Sequence, residues 1–103
     1  MDQPEPGFSK LEGFEWDTGN QKKNWLKHRV EDQECEEVFF NKPLLIIEDI
    51  QHSQSEARYF AFGITDRGRK LAIAFTMRGN EVRVISARAQ SKKERATYEK
   101  NSI

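Results

Sequence analysis

Cysteine is almost missing from this chain, with Cys35 alone among 103 residues. One thiol makes no internal disulfide and no cysteine-ligated zinc centre, so a disulfide scaffold and a zinc-stapled fold are both excluded. Histidine is nearly as scarce: His28 and His52 are too few, and too far apart in sequence, to argue for a metal site. Long apolar runs are lacking too, and stretches such as Leu44-Leu45-Ile46-Ile47 fall far short of the ~18 residues that a membrane span needs. No G-x-x-x-x-G-K-S/T, G-x-G-x-x-G or H-E-x-x-H spacing occurs, which removes the nucleotide-loop and zinc-protease readings. The opening Met1-Asp2-Gln3-Pro4-Glu5-Pro6-Gly7 is acidic and proline-rich, the opposite of a signal peptide. The expectation is a small cytoplasmic protein, without cofactor or metal, that stays off membranes.

An excess of either charge is absent as well: 17 Lys and Arg offset 17 Asp and Glu. That balance conceals a polarity. Residues 1–56 carry 13 acidic and 6 basic side chains, whereas residues 57–103 carry 4 acidic and 11 basic, so the halves stand at −7 and +7. A chain of this kind can turn a basic face toward a polyanion, or can simply solvate the outside of a sheet.

The length allows one domain, and the reading is a disordered leader over residues 1–12 followed by a single domain over 13–103. Phe14-Glu15-Trp16 alternates as a short edge strand does. Asp17 offers a carboxylate to the start of a helix running to about His28, whose narrow buried stripe rests on Trp25 and Leu26. A second helix over about 32–40 places Cys35, Val38 and Phe39 inward, which makes the thiol a small core residue. Pro43 ends it. Leu44–Glu48, Arg58–Ile64, Leu71–Met77 and Val82–Arg88 then read as four strands, with hairpin turns at Thr65–Lys70 and Arg78–Glu81. Ser91-Lys92-Lys93-Glu94 has the spacing of a capping box, opening a C-terminal helix in which only Ala96 and Tyr98 can bury. Its thin stripe predicts weak docking. The fold class is α+β: N-terminal helices on a four-stranded antiparallel meander, plus a short C-terminal helix.

Polar side chains gather at element ends, where a scaffold can hold them for chemistry. Lys27 and His28 close the first helix, Glu56 and Arg58 open the second of the four strands, and Arg83 and Arg88 lie on the last. RNA can be cleaved with such a set: a base takes the ribose 2′-hydroxyl proton, cations stabilise the phosphorane, and an acid protonates the leaving oxygen. His28, Glu56 or Lys27 could exchange protons, and Arg58, Arg83 and Arg88 could clamp phosphate. Each has a plainer role open to it. Lys27 and His28 complement a helix dipole, Glu56 and Arg58 form an ion pair, and Arg83 snorkels beside Ile85 and Ala87 on its strand face.

Phe14-Glu15-Trp16-Asp17, Asn24…Lys27-His28, Glu36-Glu37-Val38-Phe39, Asp49…His52-Ser53, Glu56…Arg58, Gly63, Gly68, Arg83-Val84-Ile85-Ser86-Ala87-Arg88 and Glu94-Arg95…Tyr98-Glu99 resemble, in order, the BrnT family of toxins. The resemblance spans about Phe14–Glu99, 86 of the 103 residues. It implies a RelE-like fold and a ribonuclease that blocks translation. It also implies neutralisation by a BrnA-type antitoxin whose ribbon-helix-helix domain supplies the contact to operator DNA. Lys92, Lys93, Arg95 and Tyr98 of the terminal helix are then candidates for contact with RNA or antitoxin. Two rival readings are a catalytically weak partner that tunes the antitoxin's grip on DNA, and an RNA-binding module without cleavage.

Two positions depart from the family pattern. Thr18 stands where the family usually has proline, which forfeits only a pre-set φ. Arg29 stands where it usually has glycine after Lys-His. A non-glycine residue in left-handed geometry costs roughly 1 kcal/mol, so the first helix is expected to end differently here.

Overall fold

The computed structural model describes residues 11–53 and 55–101. Most of the expected leader, residues 1–10, lies outside the described residues. Of its last two positions, Leu11 packs against the core and the Glu12 amide donates to the Asn80 carbonyl at 2.9 Å.

The chain order is β1 (Gly13–Glu15), α1 (Thr18–His28), α2 (Asp32–Phe40), β2 (Leu45–Glu48), a 3₁₀ turn at Ile50–His52, β3 (Arg58–Ile64), β4 (Lys70–Arg78), β5 (Glu81–Ala89) and α3 (Lys92–Lys100). The helices start where the sequence supplies acceptors. Asp17 Oδ1 receives the amides of Gly19 and Asn20 at 2.8 and 3.2 Å, and the Ser91 hydroxyl receives that of Glu94 at 3.2 Å. The two hairpins turn at Gly68 and Gly79, whose φ values of 88° and 62° suit glycine.

Strands β2 to β5 form the expected antiparallel meander, but the sheet has five strands and is mixed. Its order is β1-β5-β4-β3-β2, with β1 parallel to β5 along Gly13–Glu15. The short edge strand expected at Phe14–Trp16 is present one residue earlier, and the four-stranded description left it out of the sheet because three residues carry too short an alternation to reveal a parallel partner.

The sheet separates two apolar clusters. On one face Leu71, Ile73, Phe75, Val82, Val84 and Ala87 pack beneath Val30 and the α2 residues Cys35, Val38 and Phe39. Gly63 sits so close under α2 that a Cβ there would lie 2.6 Å from a Val38 methyl. Burial and the neighbouring carboxylates of Asp32, Glu34 and Glu36 push the Cys35 thiol up to about 12, as befits a core residue. On the other face a smaller cluster joins Phe62 and Ala72 to Tyr98 of α3, with Leu45 and Phe60 at its margin.

Helix α1 differs from its expected packing. Trp25 and Leu26 are 44% and 61% exposed, and the residue it buries is Asn24. The reason lies in what α1 covers. Where β1 stops, the edge of β5 is left with free backbone groups, and α1 runs along it supplying side-chain partners. Asn20 Nδ2 donates to the Val84 carbonyl at 3.3 Å, and the Ala87 amide donates to Asn24 Oδ1 at 3.1 Å.

Helix α3 also buries less than expected. Ala96 is exposed and Tyr98 alone is buried, its hydroxyl donating to the Pro43 carbonyl at 2.6 Å. Polar ties supply the rest: Arg88 to Glu94, Arg95 to the Gln90 carbonyl, and Lys70 to Glu99.

Candidate active site

A β-bulge determines which side chains of β5 share a face. Ala74 pairs with Ser86 while Phe75 pairs with Val84, so Ile85 is the inserted residue. In a regular strand Arg83 and Arg88, five apart, would point to opposite faces. The inserted residue reverses the alternation, so Arg83, Ser86 and Arg88 fall on one face while Val82, Val84 and Ala87 are buried on the other. The expected sharing of a face by Arg83 and Ala87 is therefore corrected.

Cross-strand register extends that face into rows. The first is Glu15, Arg83, Thr76 and Arg58; the second is Ser86, Ala74, Phe60 and Ile47; the third is Arg88, Ala72, Phe62 and Leu45. Arg58 and Arg83 thus flank the short Thr76 with Cα atoms ~10 Å apart, and successive rows lie ~6.7 Å apart along the strands. Among the described residues the Arg58 guanidinium makes no hydrogen bond or ion pair. Its backbone is pinned by the Asp49…His52-Ser53 motif. The Arg58 amide donates to the Ser53 hydroxyl at 2.9 Å, and the Asp49 amide donates to the Arg58 carbonyl at 2.7 Å. That motif is a scaffold for Arg58. Its histidine, His52, bonds Asp49 at 2.8 Å.

Helix α1 borders the same face. Asp17 Oδ2 lies 3.6 Å from Arg83, and at the far end His28 comes within electrostatic reach of Arg88. The two lengths are comparable: a helix rises ~16 Å from Asp17 to His28, and the two row spacings from Arg83 to Arg88 amount to ~13 Å. Burial, and then the charges of Lys27, Arg88 and Lys23, lower the His28 pKa below the usual 6.5. The shift favours the neutral ring, the form that accepts a proton.

The expected change at the end of α1 does not occur. Arg29 adopts the left-handed conformation, φ 55° and ψ 42°, in place of glycine. Its guanidinium lies 5.2 Å from the Trp25 ring centroid, and Arg69 donates to the carbonyls of His28 and Arg29 at 3.0 and 2.7 Å. These contacts offset the backbone strain and hold His28 in place.

The remaining candidates are distributed unevenly. Glu56 stands beyond the Arg58 row and pairs with Arg78 at 3.0 Å, so the anticipated pair with Arg58 is replaced. Lys27 is exposed beside His28, and Lys92, Lys93 and Arg95 are exposed on α3. Tyr98 is 2% exposed, which makes it a core residue of the second cluster with no surface to offer a ligand. Arg88 is engaged: its two terminal nitrogens meet the two Glu94 oxygens at 2.7 and 2.9 Å. That fork holds the Glu94 carboxyl down at about 2. Sequence reading identified Glu94 as part of a helix cap but not as the partner of Arg88, and did not anticipate Thr76 or the Asn20–Asn24 pair on the β5 edge. Two asparagines four apart inside a helix, where they are poor formers, were the available signal for the pair. Among the described residues no group of three His, Cys, Asp or Glu converges as a metal site would require.

The chain matches a family model described as "Ribonuclease toxin, BrnT, of type II toxin-antitoxin system" over residues 16–94. The chain is thus a toxin-class protein of a type II toxin–antitoxin system. In particular, it belongs to the BrnT family. Its structure is similar to the crystal structure of the Brucella abortus ribonuclease toxin BrnT, with a TM-score of 0.58 and 19% identity, covering 78% of this chain and 97% of that one. Direct comparison with curated protein sequences yields no match.

Proposed function

We propose that this protein is a metal-independent endoribonuclease whose active face is formed by His28, Arg58, Arg83 and Arg88. The observation that carries the reading is the bulge at Ile85, which turns both β5 arginines to the face of Arg58 and toward the helix that bears His28, whose lowered pKa favours the neutral ring. His28 removes the ribose 2′-hydroxyl proton, and O2′ attacks the adjacent phosphorus. The arginines stabilise the phosphorane charge. The bond from phosphorus to O5′ breaks, leaving a 2′,3′-cyclic phosphate, and an acid delivers a proton to O5′. Lys27, next to His28 on α1, is the first candidate for that acid; Glu56, engaged with Arg78, is the second.

Cleavage of this kind in the cytoplasm blocks translation and calls for a neutralising partner. The partner proposed is a BrnA-type antitoxin with a ribbon-helix-helix domain, whose acidic segment meets the arginine face and which alone touches operator DNA. Lys92, Lys93 and Arg95 extend the basic surface available to RNA or antitoxin. The test is cleavage of a long single-stranded RNA by wild type and His28→Ala, each with and without EDTA. Wild-type cleavage insensitive to EDTA, and reduced ~10²-fold or more in the variant, is expected. Equal cleavage by both would reject His28 as the base. The rival reading, a catalytically weak antitoxin-binding partner, is favoured by the Arg88–Glu94 fork and predicts no cleavage by either.

A further inference from the structure

The middle row of the arginine face contains an aromatic ring that the chemistry above does not use. Phe60 is half-buried between Ile47 and Ala74, with the Arg58–Arg83 row on one side and the Arg88 row on the other. Phe62 supports it from the third row, with ring centroids 6.1 Å apart and planes 11° from parallel. Phe62 is itself buried under Tyr98 of α3, so the brace is fixed while Phe60 remains partly open. Beside it Ile47 is 42% exposed, although it lies on a sheet. Arg83 and Arg88, each beside a carboxylate (Asp17 and Glu94), therefore line the β5 side of this face and Arg58 borders one end, while partly exposed apolar surface occupies its β2–β3 side.

We infer that Phe60 is the base-stacking, substrate-positioning residue of this protein, and that the substrate it takes is single-stranded RNA with an unpaired nucleobase. The inference rests on the ribonuclease reading and gives its substrate an orientation. The sugar–phosphate backbone follows β5 and α1, where Arg83, Arg88 and His28 lie, and the base reaches across Ala74 to lie on Phe60 beside Ile47. Ala74 is the smallest side chain in its row and leaves the crossing low. A polyanion with planar apolar side groups fits both halves of the face, whereas a duplex keeps its bases stacked inside and offers Phe60 nothing. Phe60 acts on binding and placement and touches no reacting atom.

The test uses the full chain and a single-stranded 2′-O-methyl oligonucleotide carrying one 2-aminopurine, which cannot be cleaved through its 2′ oxygen. Binding to wild type should quench the 2-aminopurine fluorescence. Phe60→Ala and Phe60→Leu should lose the quench and weaken binding ~10- to 100-fold, while the same oligonucleotide as a duplex should bind all three proteins alike. Thermal melts establish that the Leu variant is folded. Equal quenching by wild type and Phe60→Leu, or duplex preferred over single strand, would overturn the inference. The two readings separate cleanly. A stacked but uncleaved RNA would leave Phe60 standing and remove the nuclease, whereas cleavage with an unchanged KM in Phe60→Leu would do the reverse.

Discussion

Arg88 and Glu94 face each other as a fork on a fork, with both nitrogen–oxygen distances below 3 Å at 2.7 and 2.9 Å. Glu94 also accepts the Ser91 amide at 2.8 Å, so one carboxylate completes the helix cap and occupies a guanidinium suited to phosphate. A substrate phosphate reaching Arg88 competes with Glu94 for it. Glu94→Gln should therefore strengthen binding of single-stranded RNA severalfold at low salt, measured by fluorescence anisotropy, while lowering the melting temperature through a weaker α3.

The same pair gives α3 a pH dependence with a definite sign. Glu94 is held at about 2 against an ordinary value of 4.5, so its contribution to folding is complete above about 4.5 and is lost as pH falls toward 2. The gap between the melting temperatures of wild type and Glu94→Gln should be constant from pH 7 to 5 and should narrow below pH 4.5. A gap that persists at pH 2.5 would assign the effect to packing.

His28 titrates in the opposite sense to a histidine stabilised by a carboxylate. Its pKa is lowered, so the folded protein holds the ring neutral and loses stability as pH falls through the unfolded value near 6.5. The acidic limb of the cleavage profile should lie below pH 6.5. Replacing Lys27 with Gln should move that limb upward by removing a repelling charge, and NMR titration of the His28 ring reads the same shift without reference to activity.

Arg29 pays a backbone strain that glycine would not. Arg29→Gly should melt no lower than wild type, since relief of roughly 1 kcal/mol balances the lost contact with Trp25. Arg29→Val, which keeps a Cβ and adds branching, should be destabilised by more than 1 kcal/mol.

Asn24 fastens α1 to the bulge. Asn24→Leu leaves the Ala87 amide without its acceptor in a buried place, at a cost of about 1–3 kcal/mol in a denaturant melt. Leu26→Ala on the same helix, at an exposed position, should cost less than 0.5 kcal/mol.

These residues also show what a sequence discloses. The helices ending near His28 and Phe40, the four meander strands and the burial of Cys35 follow from periodicity, capping and turn glycines, all of which are local. The grouping of Arg58, Arg83 and Arg88 followed no such signal. It depends on one inserted residue, Ile85, which reverses the alternation of β5 and leaves no mark in composition. The burial of Asn24 was not anticipated because a polar residue reads as exposed until a strand edge needs it. The pairings of Glu56 with Arg78 and of Arg88 with Glu94 are choices among nearby charges that only register decides.

The central claim is that arginines aligned across the sheet stabilise charge on phosphate, and it is tested most directly by cleavage of a long single-stranded RNA by Arg58→Ala and Arg83→Ala. Arg58 stands unpaired among the described residues and Arg83 meets Asp17 only at 3.6 Å, so neither substitution removes a close structural contact. The account predicts a fall in cleavage rate of ~10²–10³ in each, with partial recovery in the Lys variants and melting temperatures unchanged. Full activity in both alanine variants, with the fold intact, would contradict it.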